Sequence, residues 1–191
     1  MNRAVFLDRD GVINRLIFNP KTQEYESPHY VKDLELYPWV FASLAKLQKE
    51  YLLFVISNQP SFAKGKTTLE NIKEIHKKFH KLLTSASIKF TEYYYCFHHP
   101  EGVVPEFTCK CQCRKPGQYF PLKAKKDYQL DMPNSWLIGD RDSDIFCGQR
   151  AGLRTILVNE PHSIAQRGKS KPDYLAKDLN KAEEIISNNQ M

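Results

Sequence analysis

No stretch of this 191-residue chain approaches the ~20 consecutive apolar residues that a membrane-spanning helix requires, so no such helix is expected. Room for a secretory leader is also missing. Met1-Asn2-Arg3 runs straight into the apolar stretch Ala4-Val5-Phe6-Leu7, and the expectation is a cytoplasmic protein with no membrane partner. No internal repeat, low-complexity tract or linker interrupts the chain. One domain over residues 1–191 is expected, long enough to bury a core. The stripe of interleaved aromatic and basic residues that would stack nucleic-acid bases is lacking too, so no nucleic-acid partner is expected. A complete disulfide framework does not fit five cysteines, an odd number. Three of them crowd into Cys109-Lys110-Cys111-Gln112-Cys113, which in a reducing compartment points to metal.

Charge is present in excess of one sign: 28 Lys and Arg against 22 Asp and Glu, a net +6 that favours an anionic partner such as a phosphorylated metabolite. Most of the surplus reads as solvated surface, because Lys73, Lys77, Lys78 and Lys81 fit the polar face of a helix.

Strand-like runs at 4–8, 52–57, 92–97, 135–139 and 154–158 alternate with helical periodicity. Pro38 precedes a helix with Val40, Phe41, Leu44 and Leu47 on one face. Thr67-Thr68-Leu69-Glu70 reads as a capping box opening a helix with Leu69, Ile72, Phe79 and Leu83 inward. Ile145 to Ala151 reads as a short helix stopped by Gly152, and Leu179 to Ile186 as another. This alternation predicts a three-layer, Rossmann-like parallel α/β sheet. Two stretches stand outside it. Asn14 to Tyr37 is expected to be a long loop or small flap over the site. His98 to Pro116, rich in Cys, His, Pro and Gly, is a loop long enough to need a tether.

The chemistry-bearing residues fall at strand ends. Asp8-Arg9-Asp10-Gly11 follows the first run and Ser57-Asn58-Gln59 ends the second. Cys113-Arg114-Lys115-Pro116 stands before the fourth, and Asp140-Arg141-Asp142-Ser143-Asp144 follows it. Ligands of open α/β sheets bind beyond the carboxyl ends of the strands, so these groups can meet in one crevice. Two carboxylates brought together repel, and such a pair commonly holds a cation or divides nucleophilic and acid/base work. Taken singly, each group has an ordinary alternative: a turn or cap for Asp8 and Asp10, a helix cap for Ser57, a surface lysine for Lys115, a capping cluster for residues 140–144. Asp142 reads as a cap or surface acid. Cys96-Phe97-His98 followed by Cys-x-Cys supplies four nitrogen and sulfur ligands, a set suited to closed tetrahedral Zn²⁺. Cys147 lies in a helical run and reads as core.

The order and spacing of these motifs resembles the haloacid dehalogenase superfamily of aspartate-nucleophile phosphatases over nearly the whole chain. The resemblance implies a sheet order of 5-4-1-2-3, with Asp8 as nucleophile and Asp10 as acid and base. It implies Mg²⁺ held by the carboxylates of Asp8 and Asp140 and the carbonyl of Asp10. Ser57 and Lys115 would stabilise phosphoryl charge, with Asp144 orienting Lys115 or binding the metal's waters. Asp-Arg-Asp-Gly, Ser-Asn-Gln, Cys-x-His-His-Pro and Cys-x-Cys-Arg-Lys-Pro together resemble one capless branch closely. That branch is the D-glycero-D-manno-heptose 1,7-bisphosphate 7-phosphatases of the histidinol-phosphatase-like group, which supply nucleotide-activated heptose for the lipopolysaccharide core. It implies a structural zinc on Cys96, His98, Cys111 and Cys113, stapling the loop 96–116. Cys109 is the spare and exchangeable with Cys111. Substrate contacts are implied for Arg9, Tyr30, Asn58, Gln59, Arg114 and Arg141, with Arg114 on a second phosphate. The chain departs from the branch at Pro60-Ser61-Phe62, where Pro60 lacks a backbone N–H, and in a longer stretch from Arg15 to His29.

The function expected is Mg²⁺-dependent hydrolysis of a small phosphorylated sugar by a monomer. Histidinol phosphate and polynucleotide 3′-phosphate are alternative substrates. A zinc-stapled nucleic-acid-binding module without catalysis is the alternative from another class, and it leaves the strand-end acids unexplained.

Overall fold

Ala4-Val5-Phe6-Leu7 forms β1 (Ala4–Leu7) in the computed structural model, which describes residues 1–189. All four residues are buried, because β1 lies inside a six-stranded sheet. It pairs in parallel with β4 (Leu52–Asn58) on one side and β6 (Trp136–Gly139) on the other. Outside β4 lies β5 (Glu92–Cys96); outside β6 come β7 (Arg154–Val158) and β8 (Tyr174–Ala176). Counting the five expected strands by appearance, this is the order 5-4-1-2-3. The three-residue β8 adds a sixth strand, too short to show in the sequence.

The period of two along the strands feeds two cores. Val5, Leu7, Leu53, Val55, Trp136 and Ile138 face one side. There they pack under α1 (Val40–Leu47), α2 (Leu69–Ser85) and α5 (Leu179–Asn188). Ala4, Phe6, Phe54, Ile56 and Leu137 face the other, under α3 (Tyr119–Tyr128) and α4 (Asp142–Arg150). Three layers result, as expected.

Local details differ from the reading. In α1 Ser43, not Phe41, completes the inner face, and Phe41 is exposed. In α2 Ile75 takes the inward place given to Leu69. Thr68 rather than Thr67 is the N-cap, accepting from the Asn71 amide at 3.2 Å; Thr67 instead donates its hydroxyl to the His29 carbonyl. Helix α3 escaped the periodicity because Pro121 and a run of lysines interrupt its apolar residues. Asn14–Tyr37 carries an antiparallel hairpin, β2 (Ile17–Asn19) and β3 (Glu24–Glu26), the one further sheet among the described residues.

Candidate active site

Parallel pairing brings the carboxyl ends of β1, β4 and β6 to one rim of the sheet. The Asp8 amide still donates to the Ile138 carbonyl at 2.9 Å, so Asp8 extends β1 against β6. Gly11 then turns the chain at φ +87°, where an L side chain is strained. A Cβ there would lie 2.5 Å from Asp140 Oδ2, so glycine is also what lets the backbone pass Asp140. Gly139 does the same for Asp144, whose side chain a Cβ would strike.

Asp8, Asp140 and Asp144 converge, with one carboxylate oxygen from each within 4.8 Å of the others. All three are buried. Burial drives the Asp8 carboxyl up to about 6, against the pull of Lys115. Burial drives Asp140 up to about 7; Arg141 opposes the rise and Asp8 adds to it. Asp140 Oδ2 accepts the Ser163 hydroxyl, while Asp140 Oδ1 is buried with no protein partner. Crowded carboxylates around an unpartnered buried oxygen fit a hard divalent cation, which takes oxygen ligands. Asp10 does not join this group with its side chain.

Lys115 is the cation already in place. Its Nζ lies 3.0 Å from Asp8 Oδ1 and 2.5 Å from Asp144 Oδ1, and donates to the Ile56 carbonyl at 2.7 Å. Burial would lower its pKa, but Asp144 and Asp8 outweigh burial and raise it, so the ammonium is fixed. Asn58 sets its backbone. The Lys115 amide donates to Asn58 Oδ1 at 3.0 Å, and Asn58 Nδ2 donates to the Lys115 carbonyl at 3.1 Å.

Two residues expected at the substrate are elsewhere. Arg9 and Gln59 are 0% and 2% exposed, with no face left for a ligand. Arg9 Nε and Nη2 donate to Asp10 Oδ1 at 3.1 and 2.9 Å. Gln59 Nε2 donates to Asp10 Oδ2 at 2.5 Å and to Ser57 Oγ at 2.8 Å. Asn14 Nδ2 donates to Asp10 Oδ1 at 2.9 Å. Burial alone would raise the Asp10 pKa; the Arg9 charge and these hydrogen bonds outweigh it and hold Asp10 below the usual carboxylate range. Tyr30 is also off the site. Its side chain is exposed, its amide donates to the Asp33 carboxylate, and it does not line the crevice.

The crevice itself is about 450 Å³, with Asp8, Asp10 and Lys115 at its floor. Asn58, Arg114 and Arg141 line it. Lys64 and Lys66 from the loop after β4, and hairpin residues Glu24 to Ser27, complete the walls. Glu24 to Ser27 belong to the stretch Asn14–Tyr37 expected to lie over the site, though nothing in the sequence marks them individually. Lys64, Lys66 and Ser163 carry no signal beyond position in loops after strand ends. Asp142 accepts from the Lys169 and Ser170 amides at 2.8 and 3.0 Å, tying down a loop.

Beside the crevice, Cys96, His98, Cys111 and Cys113 form a second cluster. Sulfur separations are 3.3 to 3.4 Å, and His98 Nδ1 lies 3.9 Å from Cys96 Sγ and 3.8 Å from Cys113 Sγ. Ligands ~2.0–2.3 Å from a tetrahedral Zn²⁺ are separated by comparable distances, so the donor set fits that ion. Cys109 is exposed and outside the cluster, which leaves Cys111 as the third sulfur. Arg114 Nη1 donates to the His98 carbonyl at 3.3 Å, coupling the cysteine loop to the crevice wall.

A HAD-hydrolase-like family model matches residues 112–182. A D-glycero-alpha-D-manno-heptose-1,7-bisphosphate 7-phosphatase of Photorhabdus laumondii is 32% identical over 166 residues, 86% of each chain. A D-glycero-beta-D-manno-heptose-1,7-bisphosphate 7-phosphatase of Vibrio cholerae is 33% identical over 169 residues, 87% of each. The solved structure of a D,D-heptose 1,7-bisphosphate phosphatase from B. bronchiseptica, complexed with magnesium and phosphate, has the same fold. Its TM-score is 0.79 at 23% identity, covering 98% of this chain and 99% of that one. By its sequence likeness to these relatives, the chain belongs to the haloacid dehalogenase-like phosphatases, in the family that contains the heptose-bisphosphate 7-phosphatases.

Proposed function

We propose that this chain removes the 7-phosphate of a D-glycero-D-manno-heptose 1,7-bisphosphate through an aspartyl-phosphate on Asp8. The observation that carries this reading is the buried Asp8–Lys115–Asp144 arrangement opening onto a crevice of sugar-phosphate size. The substrate comes from the relatives, one named for the alpha anomer and the other for the beta.

The Arg9 amide and Lys115 both meet Asp8 Oδ1, which leaves Oδ2 for in-line attack on phosphorus. Lys115 stabilises charge on the phosphoryl oxygens. Ser57, expected to share that work, is buried at the end of β4, where its hydroxyl accepts from Gln59, and it is not among the residues that line the crevice. Arg9, Asn14 and Gln59 hold Asp10 as the carboxylate, the form that takes a proton from the water that hydrolyses the aspartyl-phosphate. To give a proton to the departing sugar oxygen, Asp10 must first take one up as the anionic phosphate enters beside it. Arg114 and Arg141 receive the remaining phosphate with planar, multidentate donors. Mg²⁺ held by Asp8, Asp140 and the Asp10 carbonyl supplies neutralising charge between anionic nucleophile and anionic substrate. Zn²⁺ on Cys96, His98, Cys111 and Cys113 fixes the loop that carries Arg114 and Lys115.

The test is phosphate release from both heptose bisphosphate anomers and histidinol phosphate, with Mg²⁺ and with chelator. Fastest Mg²⁺-dependent release from one heptose anomer, abolished in a folded Asp8→Asn protein, is expected. Activity retained by Asp8→Asn excludes Asp8 as nucleophile, and preference for histidinol phosphate overturns the sugar assignment.

A further inference from the structure

The hairpin β2–β3 reaches across the crevice and is tied to both banks. On one bank Tyr25 lies flat on His162, with ring centroids 3.5 Å apart and planes at 11°. His162 belongs to the turn segment Pro161–Gln166 after β7, and Gln166 of that segment lines the crevice. On the other bank Glu26 accepts from Lys66 Nζ, in the loop after β4, and pairs with His29 Nε2 at 3.1 Å. The same carboxylate gathers Thr22 Oγ1 and Asn19 Nδ2 from within the hairpin. Phe18 leans on Tyr25 at 5.4 Å. Glu24 to Ser27 line the same crevice as Asp8 and Lys115.

A two-stranded hairpin is marginally stable alone, so these ties decide whether it stays down. With it down, the crevice is about 450 Å³. That lies toward the small end of the ~300–1,000 Å³ typical of small-molecule sites. A free sugar phosphate fits inside such a space. A phosphomonoester carried within a polymer does not, because chain must leave the site on both sides and the hairpin bridges the banks it would cross.

We propose that Tyr25 is a specificity-determining residue: its stack on His162 keeps the hairpin closed over the crevice and bars phosphomonoesters carried on polymers. This rests on the phosphatase reading of Asp8. A small substrate reacts with the closed form, whereas a polymeric one reacts only with the open fraction. Removing the stack raises the open fraction, and polymer turnover rises in proportion.

The test compares p-nitrophenyl phosphate with a phosphotyrosyl peptide, two aryl phosphates of similar leaving group, in the Mg²⁺-supplemented full chain. The wild type is expected to favour p-nitrophenyl phosphate. In Tyr25→Ala and in His162→Ala, the ratio of peptide to p-nitrophenyl phosphate kcat/KM should rise about three- to tenfold, the factor an aromatic stack is worth. Tyr25→Phe, which keeps the stack, should hold the wild-type ratio. Thermal melts matching the wild type establish that the variants are folded. A ratio unchanged in Tyr25→Ala, or a wild type that takes both substrates equally, overturns the proposal. Release from heptose bisphosphate but not from p-nitrophenyl phosphate overturns this proposal alone, because the closed form then does not admit small phosphomonoesters at large; no release from either overturns the phosphatase reading and this proposal with it.

Discussion

Replacing Lys115 by methionine keeps the length of the side chain and deletes one buried charge. The lost ammonium is 3.0 Å from Asp8, 2.5 Å from Asp144 and donates to the Ile56 carbonyl. The side chains of Lys115 and Asp144 are 2% and 0% exposed, so solvent does little to screen the pair. Removing one partner of a buried ion pair costs about 3–5 kcal/mol, because the other charge is left uncompensated. For a domain of this size that corresponds to a fall in Tm of roughly 6–20 °C. Catalysis loses a preorganised charge aimed at the phosphoryl oxygens, an effect of about 10²–10³ in kcat. The two losses separate in the double variant Lys115→Met/Asp144→Asn. Neutralising Asp144 should restore most of the melting temperature while kcat stays low. Calorimetry and a phosphate-release assay on the three proteins read both quantities. A Lys115→Met protein that melts with the wild type, or a double variant that regains activity, refutes the reasoning.

Asp140 gives a pH test. Its carboxyl in the folded protein, at about 7, lies above the ordinary 3.8, so stability from its protonation is present below pH 3.8 and lost as pH rises through 7. In chelator, Asp140→Asn should therefore match the wild type near the lower limit and exceed it in Tm above the upper one, with Mg²⁺ reversing the ranking; equal melts throughout would count against the site. Changing Cys111 and Cys113 together to serine should deplete bound zinc by elemental analysis and lower Tm, and an unchanged metal content rejects the staple. Gly11→Ala must place a Cβ 2.5 Å from Asp140 Oδ2 at φ +87°. A strain of about 1–2 kcal/mol from the backbone alone, with a further loss of activity, is expected, and an alanine protein with wild-type kcat and Tm refutes it.

The sheet was legible because its strands are buried on both faces and read as unbroken apolar runs, as Leu52 to Ile56 does. The converging acids were legible because each ends such a strand. Arg9, Gln59 and Tyr30 were misplaced for a common reason: sequence adjacency to a motif does not say which way a side chain points. Arg9 sits between two carboxylates in the chain yet turns inward, where it pairs with Asp10. Ser163 was invisible because its role depends on a turn beyond β7 folding back to Asp140, a contact 23 residues apart. Cys111 was preferred to Cys109 only through the family resemblance, since both precede Cys113 at spacings a metal loop allows; the fold places Cys109 outside the cluster.

The two close-passing glycines and the fully enclosed charges give the floor of this crevice almost no tolerance for change. Its walls are built otherwise, from a hairpin, a loop after β4 and a cysteine-rich loop, each hung from a different strand end. Reaction and recognition therefore occupy separable stretches of polypeptide. Lineages carrying this architecture can drift in what they accept, one wall at a time, while the underlying chemistry is inherited intact.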